Sequence, residues 1–379
     1  MQSSTESSPA NVQVLQICVP EATGAVVSDP RLAAAKVWLQ SLVSELSPIA
    51  TGWQLDVASA DASFRRYFRL QEPDGTSLIV MDAPPPEEDC RPFVAIAAEL
   101  RAAGLNAPEL IAADIEAGFL LISDLGGCTY GARLEVQPEL ADALYGDALV
   151  ALAKMQLQSA EHLPVFDAAM LHREMQLLPD WLAGEYLGLS VPACWSAVCD
   201  LLVNSATNQP VVYVHRDYHC RNLMVHEGGD RLTSAEDGGV QLNPGVLDFQ
   251  DAVAGPVTYD VVSLLKDCYI AWPREQQLAW LEEYREIAQA KGVLLPDNLI
   301  QSFDLMGVQR HLKAAGIFAR LWVRDGKPGY LPDVPRTLNY TVAVADIYAA
   351  EYPALKEFSA WLSAVLLPAL AAKPLPVSS

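Results

Sequence analysis

Apolar positions recur along this chain with two different periods, and the place where one gives way to the other divides it. Between Trp53 and Ala83 the runs are short and β-rich. WQLDVAS (53–59), YFRLQE (67–72) and SLIVMDA (77–83) read as three strands, with a Pro-Asp-Gly turn at 73–75 before the third. Ahead of them, Asp29-Pro30 is an acidic cap followed by proline at a first helical position, and LAAAKVWLQSLV (32–43) has helical spacing. PFVAIAAELRAAGL (92–105) predicts a helix stopped at Gly104, and 107–127 predicts two strands joined by a turn. From about residue 135 the helical period takes over, in 140–156, 168–187, 191–206, 261–272 and 275–292, the last closing at Gly292. Residues 1–28 are Ser-rich and aperiodic apart from one short strand expected over Val12–Val19. Residues 226–245 are rich in Gly, Asp and Asn and predict a hairpin with a long, flexible tip. The tail from Leu366 is a helix end followed by a Pro-rich terminus.

One stretch inside the helical half breaks the pattern. VVYV (211–214) is a β-branched run that delivers His215-Arg216-Asp217, and Asn222 follows five residues after Asp217. A second apolar run, Val246-Leu247, delivers Asp248-Phe249. Two strand ends thus present a carboxylate, a carboxamide and a second carboxylate in fixed order. Phosphoryl transfer from ATP needs that set: a base that orients a hydroxyl, and two oxygen ligands for Mg²⁺. The spacing H-x-D-x-x-x-x-N followed by D-F is the catalytic-loop and metal-loop pattern of the protein-kinase-like fold. Either triplet alone is common by chance; the two in order, each after a strand-like run, are not.

The chain resembles the aminoglycoside phosphotransferase and choline kinase family of small-molecule kinases. The resembling pieces are ADASFRRYFRL (60–70), IVMDAPPPEED (79–89), HRDYHCRNLM (215–224), 247–269 and 309–331. Within that family the likeness is narrowest to a bacterial subgroup that phosphorylates the anomeric hydroxyl of N-acetylmuramate and N-acetylglucosamine in cell-wall recycling. The resemblance implies an α+β, bilobal protein-kinase-like fold. A small N-terminal nucleotide-binding lobe with an antiparallel sheet is expected over 29–126, after a flexible extension over 1–28. A larger, mainly helical catalytic and substrate lobe is expected over 127–379.

The resemblance also distributes roles. Asp217 is the catalytic base, Asn222 and Asp248 hold Mg²⁺, and His215 and Asp260 support the loop backbone. The loop at 60–64, with Ser63, Phe64, Arg65 and Arg66, covers the phosphates of ATP, and Asp124-Leu125 marks the hinge where backbone groups meet adenine. Guanidinium groups fork onto phosphate oxygens, which makes Arg65, Arg66 and Arg69 the notable chemistry of the first hairpin. Kinase folds usually carry a lysine on the third strand; here that strand reads Ile79-Val80-Met81-Asp82. Either an arginine substitutes, or Mg²⁺ holds the phosphates. His219, Arg221, Asp251, Arg310 and Lys313 are candidate substrate contacts.

Composition narrows the partners. Hydrophobic residues make up 51% and charged residues 19% of 379, enough for a sizeable core. A formal charge of -22 argues against nucleic-acid binding. Yet residues 309–331 carry Arg310, His311, Lys313, Arg320, Arg324 and Lys327 against Asp325 alone, a local excess suited to an anion or to the acidic remainder of the protein. A neutral or acidic amino sugar therefore fits better than a cationic substrate. The cysteine count of 7 is odd, and no pair is spaced C-x-x-C, which argues against a disulfide framework or a zinc site. Cys220, inside the catalytic loop, reads as an ordinary small residue. With no basic leader and no run near the roughly 20 apolar residues of a membrane span, the expected location is the cytoplasm, away from the membrane, and the expected state is a monomer. Two alternatives stay open: another alcohol acceptor, such as an aminoglycoside or choline, and a catalytically silent nucleotide-binding pseudokinase.

Overall fold

The computed structural model describes residues 29–42, 53–60, 64–71, 75–226 and 241–374. The strand expected over Val12–Val19, Ser63 with its neighbours Asp61 and Ala62, and the tip of the hairpin at 227–240 lie outside them. The chain divides into two compact units, one formed by the residues up to Ala98 with Pro108–Asp124, the other by Glu99–Ala107 with the residues from Leu125 onward.

The first unit is a five-stranded antiparallel sheet. Its strands are β1 (Gln54–Ala60), β2 (Arg66–Gln71) and β3 (Ser77–Asp82), then, after the two-residue β4 (Leu105–Asn106) of the other unit, β5 (Leu110–Asp114) and β6 (Phe119–Ser123). The spatial order is β1-β2-β3-β6-β5. Helix α1 (Pro30–Leu42) starts where the acidic cap predicts, with Asp29 Oδ1 accepting from Leu32 N at 2.9 Å. Alternation along the strands sends Leu55, Phe68, Leu70, Val80 and Leu121 into one core with Trp53 and with Leu39 of α1. Each such fully buried side chain contributes roughly 1.5–3 kcal/mol.

Helix α2 (Arg91–Ala102) ends just before Gly104, whose φ of 74° is the left-handed stop expected there. The second unit is mostly helical: α3 (Tyr130–Val136), α4 (Ala141–Gln156), α5 (Ala168–Met175), α6 (Trp195–Thr207), α7 (Tyr259–Leu265), α8 (Arg274–Lys291), α9 (Leu299–Val323), α10 (Val334–Ile347), α11 (Pro353–Trp361) and α12 (Leu367–Ala372). Two small sheets interrupt the helices. β7 (Val211–Val214) pairs with β10 (Val253–Pro256), and β8 (Leu223–Met224) with β9 (Gln241–Val246) and β4. The α+β expectation holds, with an antiparallel sheet early and helices after it.

Three details differ from the sequence reading. The helix expected through Trp272 stops at Leu265, because Asp267 leaves the helix to accept backbone bonds from Cys220 and Tyr269. The run 168–187 splits into α5 and a wider π-helical segment, Leu178–Tyr186, which begins with Pro179 near its start. Finally, Pro353–Ala372 does reach the length and apolarity of a membrane span, with a mean hydropathy of 1.3. Its Leu355, Phe358, Leu362 and Leu366 are fully buried in the helical unit, while Lys356 and Glu357 stand exposed.

Helix α9 is the axis of this unit. Over 25 residues it buries nearly every side chain from Ser302 to Lys313. It passes so close to the start of the π-helical segment that a Cβ on Gly316 would lie 2.4 Å from the Leu177 carbonyl carbon. Only glycine allows that approach.

Candidate active site

The two small sheets of the helical unit bring the polar loops together. Antiparallel pairing of Leu223 with Val246 and Met224 with Gly245 sets Asn222 beside Leu247 and Asp248. Leu247 N donates to Asn222 O at 3.0 Å, and Asn222 Nδ2 donates to Asp248 Oδ2 at 3.2 Å and to Asp217 O at 3.0 Å. Asp217, Asn222 and Asp248 thus meet at one place, although 31 positions separate the first and last. Asp248 adopts φ of 62° and Arg216 φ of 78°, a left-handed backbone that non-glycine residues seldom take. Such strain persists only where neighbouring contacts over-determine it.

Those contacts are present. Asp260 accepts from His215 N at 2.6 Å and from Arg216 N at 3.0 Å, so its carboxylate clamps the loop from below. His215 is fully buried and links the two loops: its Nε2 faces Leu247 O at 2.9 Å while Nδ1 faces Asp217 N at 3.3 Å. With Nε2 donating and Nδ1 accepting, the ring is neutral, and burial lowers its pKa accordingly. Asp267 adds a clamp that the sequence reading overlooked, accepting from Cys220 N at 2.9 Å. Cys220 itself is buried, and burial pushes its thiol far up, away from reactivity.

Around Asp217 lies a dense set of charges. Arg310 Nη2 stands 3.9 Å from Asp217 Oδ1. Glu174 accepts from Arg216 Nη2 at 2.7 Å and from Gln309 Nε2 at 3.2 Å, and lies 3.2 Å from Lys313 Nζ. Lys313 Nζ also donates to the Tyr259 hydroxyl at 3.0 Å. Burial pushes the Asp217 carboxyl up, but Lys313, His219, Arg310 and Arg216 outweigh it and hold the group well below the usual carboxylate range. Asp217 is therefore ionised at neutral pH. Its side chain is still 41% exposed, so an incoming group can reach it.

Several polar atoms here are buried without a partner: His219 Nδ1, Arg310 Nε, Arg216 Nε, Gln250 Oε1 and Gln309 Oε1. These residues line up along Asp217, Asp248 and Glu174, and buried polar atoms left open beside three carboxylates suit a site that awaits a ligand.

The donor set fits Mg²⁺. Asn222 uses its amide nitrogen on Asp217 O and Asp248, which leaves its carbonyl oxygen for a cation. Asp248 supplies a carboxylate steadied by Gln250 Nε2 at 2.7 Å. One or two protein oxygens completed by phosphates and water is the usual Mg²⁺ arrangement. Among the described residues there is no group of three or more His, Cys, Asp or Glu that could hold a metal unaided.

The other expected residues have mixed outcomes. Arg221 lies over the Tyr269 ring at 3.5 Å, and His219 meets the same ring edge-on. Asp251 is exposed. Lys313 is held by Glu174 and Tyr259 rather than left free for an anion.

Within the sheet unit, Arg66 is held by Asp29 and Asp82, so it is a structural residue more than a free phosphate grip. Arg31 joins it on the fully buried Asp82. Arg65 pairs with Glu88 at 2.9 Å, and Phe64 is exposed with its N donating to Glu88 at 3.3 Å. Arg69 pairs with Asp124 at 2.5 Å rather than standing alone in solvent, and Ser77 donates to the same carboxylate at 2.7 Å. The Asp124 side chain is therefore committed to its own sheet, and only backbone groups remain for a hinge role there and at Leu125. In kinase folds the strand-three lysine pairs with a glutamate on the following helix; the candidate here, Glu99 of α2, faces His162 Nε2 at 3.1 Å.

Sequence reasoning gave no site role to Glu174, Gln309 or Arg216. One signal was available: in AAMLHREM the buried positions are Leu171, Glu174 and Met175, so the glutamate lies on the helix's apolar face.

Comparison with known proteins bears on the family and the fold. The model of the phosphotransferase enzyme family matches residues 55–295. The N-acetylmuramate/N-acetylglucosamine kinase of Pseudomonas aeruginosa is 50% identical over 327 residues, covering 82% of this chain and 91% of the relative. Its namesake from Neisseria meningitidis is 40% identical, covering 84% and 92%. Among solved structures, an ethanolamine kinase of Plasmodium vivax superposes with a TM-score of 0.59 at 10% identity, covering 84% of this chain and 91% of that one. A choline/ethanolamine kinase family protein of Mesorhizobium loti gives 0.55 at 14%, covering 85% and 99%. These likenesses establish the kinase-like fold.

Proposed function

Because this chain belongs to the phosphotransferase enzyme family, and is accordingly an ATP-dependent phosphotransferase acting on a sugar, we propose that it phosphorylates the anomeric hydroxyl of N-acetylmuramate and N-acetylglucosamine. The observation that carries this reading is the convergence of Asp217, Asn222 and Asp248, together with relatives at 40% identity and above that bear that name.

Asp217 accepts a hydrogen bond from the sugar hydroxyl and aims its oxygen at the γ-phosphorus. The new O–P bond forms as the bond from phosphorus to the bridging oxygen breaks, ADP leaves, and the proton passes to Asp217. A carboxylate held so acidic is a weak base, which suits a loose transition state in which the proton moves late. The anomeric hydroxyl is more acidic than an ordinary alcohol, which narrows the mismatch. Asn222 Oδ1 and Asp248 would hold Mg²⁺, whose contribution is to neutralise charge on the transferring phosphates. Alignment and electrostatic stabilisation supply most of the rate.

On the sheet unit, Ser63 and Phe64 in the loop and Arg65 on Glu88 are assigned to the ATP phosphates, and the backbone at Asp124-Leu125 to adenine. Both of the loop's arginines are already paired, Arg65 with Glu88 and Arg66 with Asp29 and Asp82, so a phosphate at either would share the guanidinium with a carboxylate or displace it. Cytoplasmic location, a monomeric state and service in peptidoglycan recycling complete the reading.

The test is a coupled ADP assay over a panel of amino sugars, aminoglycosides and choline, with the phosphorylated position read by phosphorus NMR. ADP release with the two N-acetyl sugars and phosphate on the anomeric oxygen is expected. Release only with an aminoglycoside or choline moves the acceptor, and release with none favours a silent nucleotide binder.

A further inference from the structure

Arg310 is out of place by ordinary folding economy. It is a guanidinium on the buried face of α9, only 5% exposed. Nη1 reaches nothing better than the Cys268 thiol at 3.7 Å, Nη2 stands 3.9 Å from Asp217, and Nε has no partner. A thiol is a weak acceptor, and 3.9 Å is too long for a hydrogen bond. Buried cations normally carry well-formed pairs, as Lys313 does three residues further along the same helix. Burying a guanidinium with its donors unfilled makes sense if the complex, rather than the free protein, fills them.

We propose that Arg310 reads the carbonyl oxygen of the acylamino group next to the reacting hydroxyl of the sugar, and so sets the enzyme's preference for 2-acetamido sugars. This rests on the reading of Asp217 as the residue that holds that hydroxyl. On a pyranose, the carbon that bears the acetamido group adjoins the anomeric carbon. The acetamido oxygen of a sugar whose anomeric hydroxyl is held by Asp217 is therefore within reach of the donors nearest that carboxylate, and the proposal turns that side of the ring toward them. Arg310 is the donor so placed, with unfilled N–H groups.

The choice of group follows from charge and from what the two sugars share. The lactyl carboxylate occurs on N-acetylmuramate alone, whereas the acetamido carbonyl occurs on both. A free amine at the same carbon would bring a second cation against a buried guanidinium, so the deacylated sugar is rejected by repulsion as well as by a missing bond. His219, with Nδ1 buried and unpartnered beside the Tyr269 ring, stands in the same loop and completes a polar wall for the acyl group.

The experiment compares kcat/KM for N-acetylglucosamine, N-trifluoroacetylglucosamine and glucose, with Mg·ATP saturating, in the wild-type protein and in Arg310→Met and Arg310→Lys. The trifluoroacetyl sugar keeps the shape but weakens the carbonyl as an acceptor. The wild type should prefer the acetyl sugar over both others. In Arg310→Met that preference should fall by about 10- to 100-fold, the range of a charge-assisted hydrogen bond. Arg310→Lys, which keeps the charge without the fork, should fall in between, and it decides the matter if the methionine variant does not fold. Equal losses on all three sugars would overturn the proposal and leave the kinase reading intact, since a purely structural arginine lowers activity without changing the ratios. A wild type that turns over neither N-acetyl sugar would instead overturn the function on which the proposal stands.

Discussion

Helix α9 carries two buried charge clusters that differ in one respect. Near its start, Asp304 accepts from Lys266 Nζ at 2.5 Å, from Arg274 at 2.9 and 2.7 Å, and from the Tyr348 hydroxyl at 3.0 Å. No side-chain atom of those four residues is buried without a partner. Two turns on, the cluster of Gln309, Arg310 and Lys313 around Asp217 and Glu174 leaves orphaned donors and acceptors. Both clusters sit in the same helical unit with similar burial. The closed one pins α7, α8 and α10 to α9. The open one faces a carboxylate that solvent can reach. Between these two clusters, filled valences go with a structural role and unfilled ones with room for substrate.

Substitutions can break or sharpen that contrast. Among substitutions that keep Asp217, the largest effect should come from Asp248→Ala, which removes a carboxylate from the Mg²⁺ donor set; kcat should fall at least about 10³-fold with the fold retained, read by ADP release beside circular dichroism. Asp304→Ala should do the reverse. Stranding Lys266 and Arg274 should lower unfolding free energy by about 3–5 kcal/mol in denaturant titrations, with turnover per folded molecule nearly unchanged.

Asp260 gives a pH signature. Burial pushes its carboxyl up to about 6, against the pull of His215 and the two backbone donors. A raised folded pKa means that this group's contribution is full below about pH 4, where the unfolded carboxyl also protonates, and is lost as pH rises through 6. The span corresponds to roughly 3 kcal/mol. Asp260→Asn should flatten the wild-type stability slope between those limits, and an unchanged slope would contradict the assignment. The smallest effect is expected for Glu174→Gln. It loosens Arg216 ahead of Asp217 and should lower kcat about 10-fold with little change in KM, as for a positioning residue.

Much of this was legible in the sequence. The strands of the sheet unit follow from alternation, α1 and α2 from their cap and stop residues, and the trio 217, 222 and 248 from its spacing. The residues that were missed share a cause. Glu174, Gln309 and Asp267 act through partners 42, 135 and 47 positions away, and no local period encodes such a pairing. The arginines of the first hairpin misled for the complementary reason. A guanidinium in a sequence looks ready for phosphate, whereas folding had already given Arg66 to Asp29 and Asp82, and Arg69 to Asp124. The basic run at 309–331 read as suited either to an anion or to the acidic remainder of the protein; the second holds for Arg310 and Lys313, buried on α9 beside Asp217 and Glu174, while Arg324, past the helix end, pairs with Asp325 at the surface.

The most direct test replaces the one oxygen on which the chemistry turns. Asp217→Asn, mixed with Mg·ATP and N-acetylglucosamine, should release no ADP above background while binding ATP as the wild type does. A variant that still turns over at the wild-type rate would show that Asp217 is not the base and that the open cluster on α9 serves some other end.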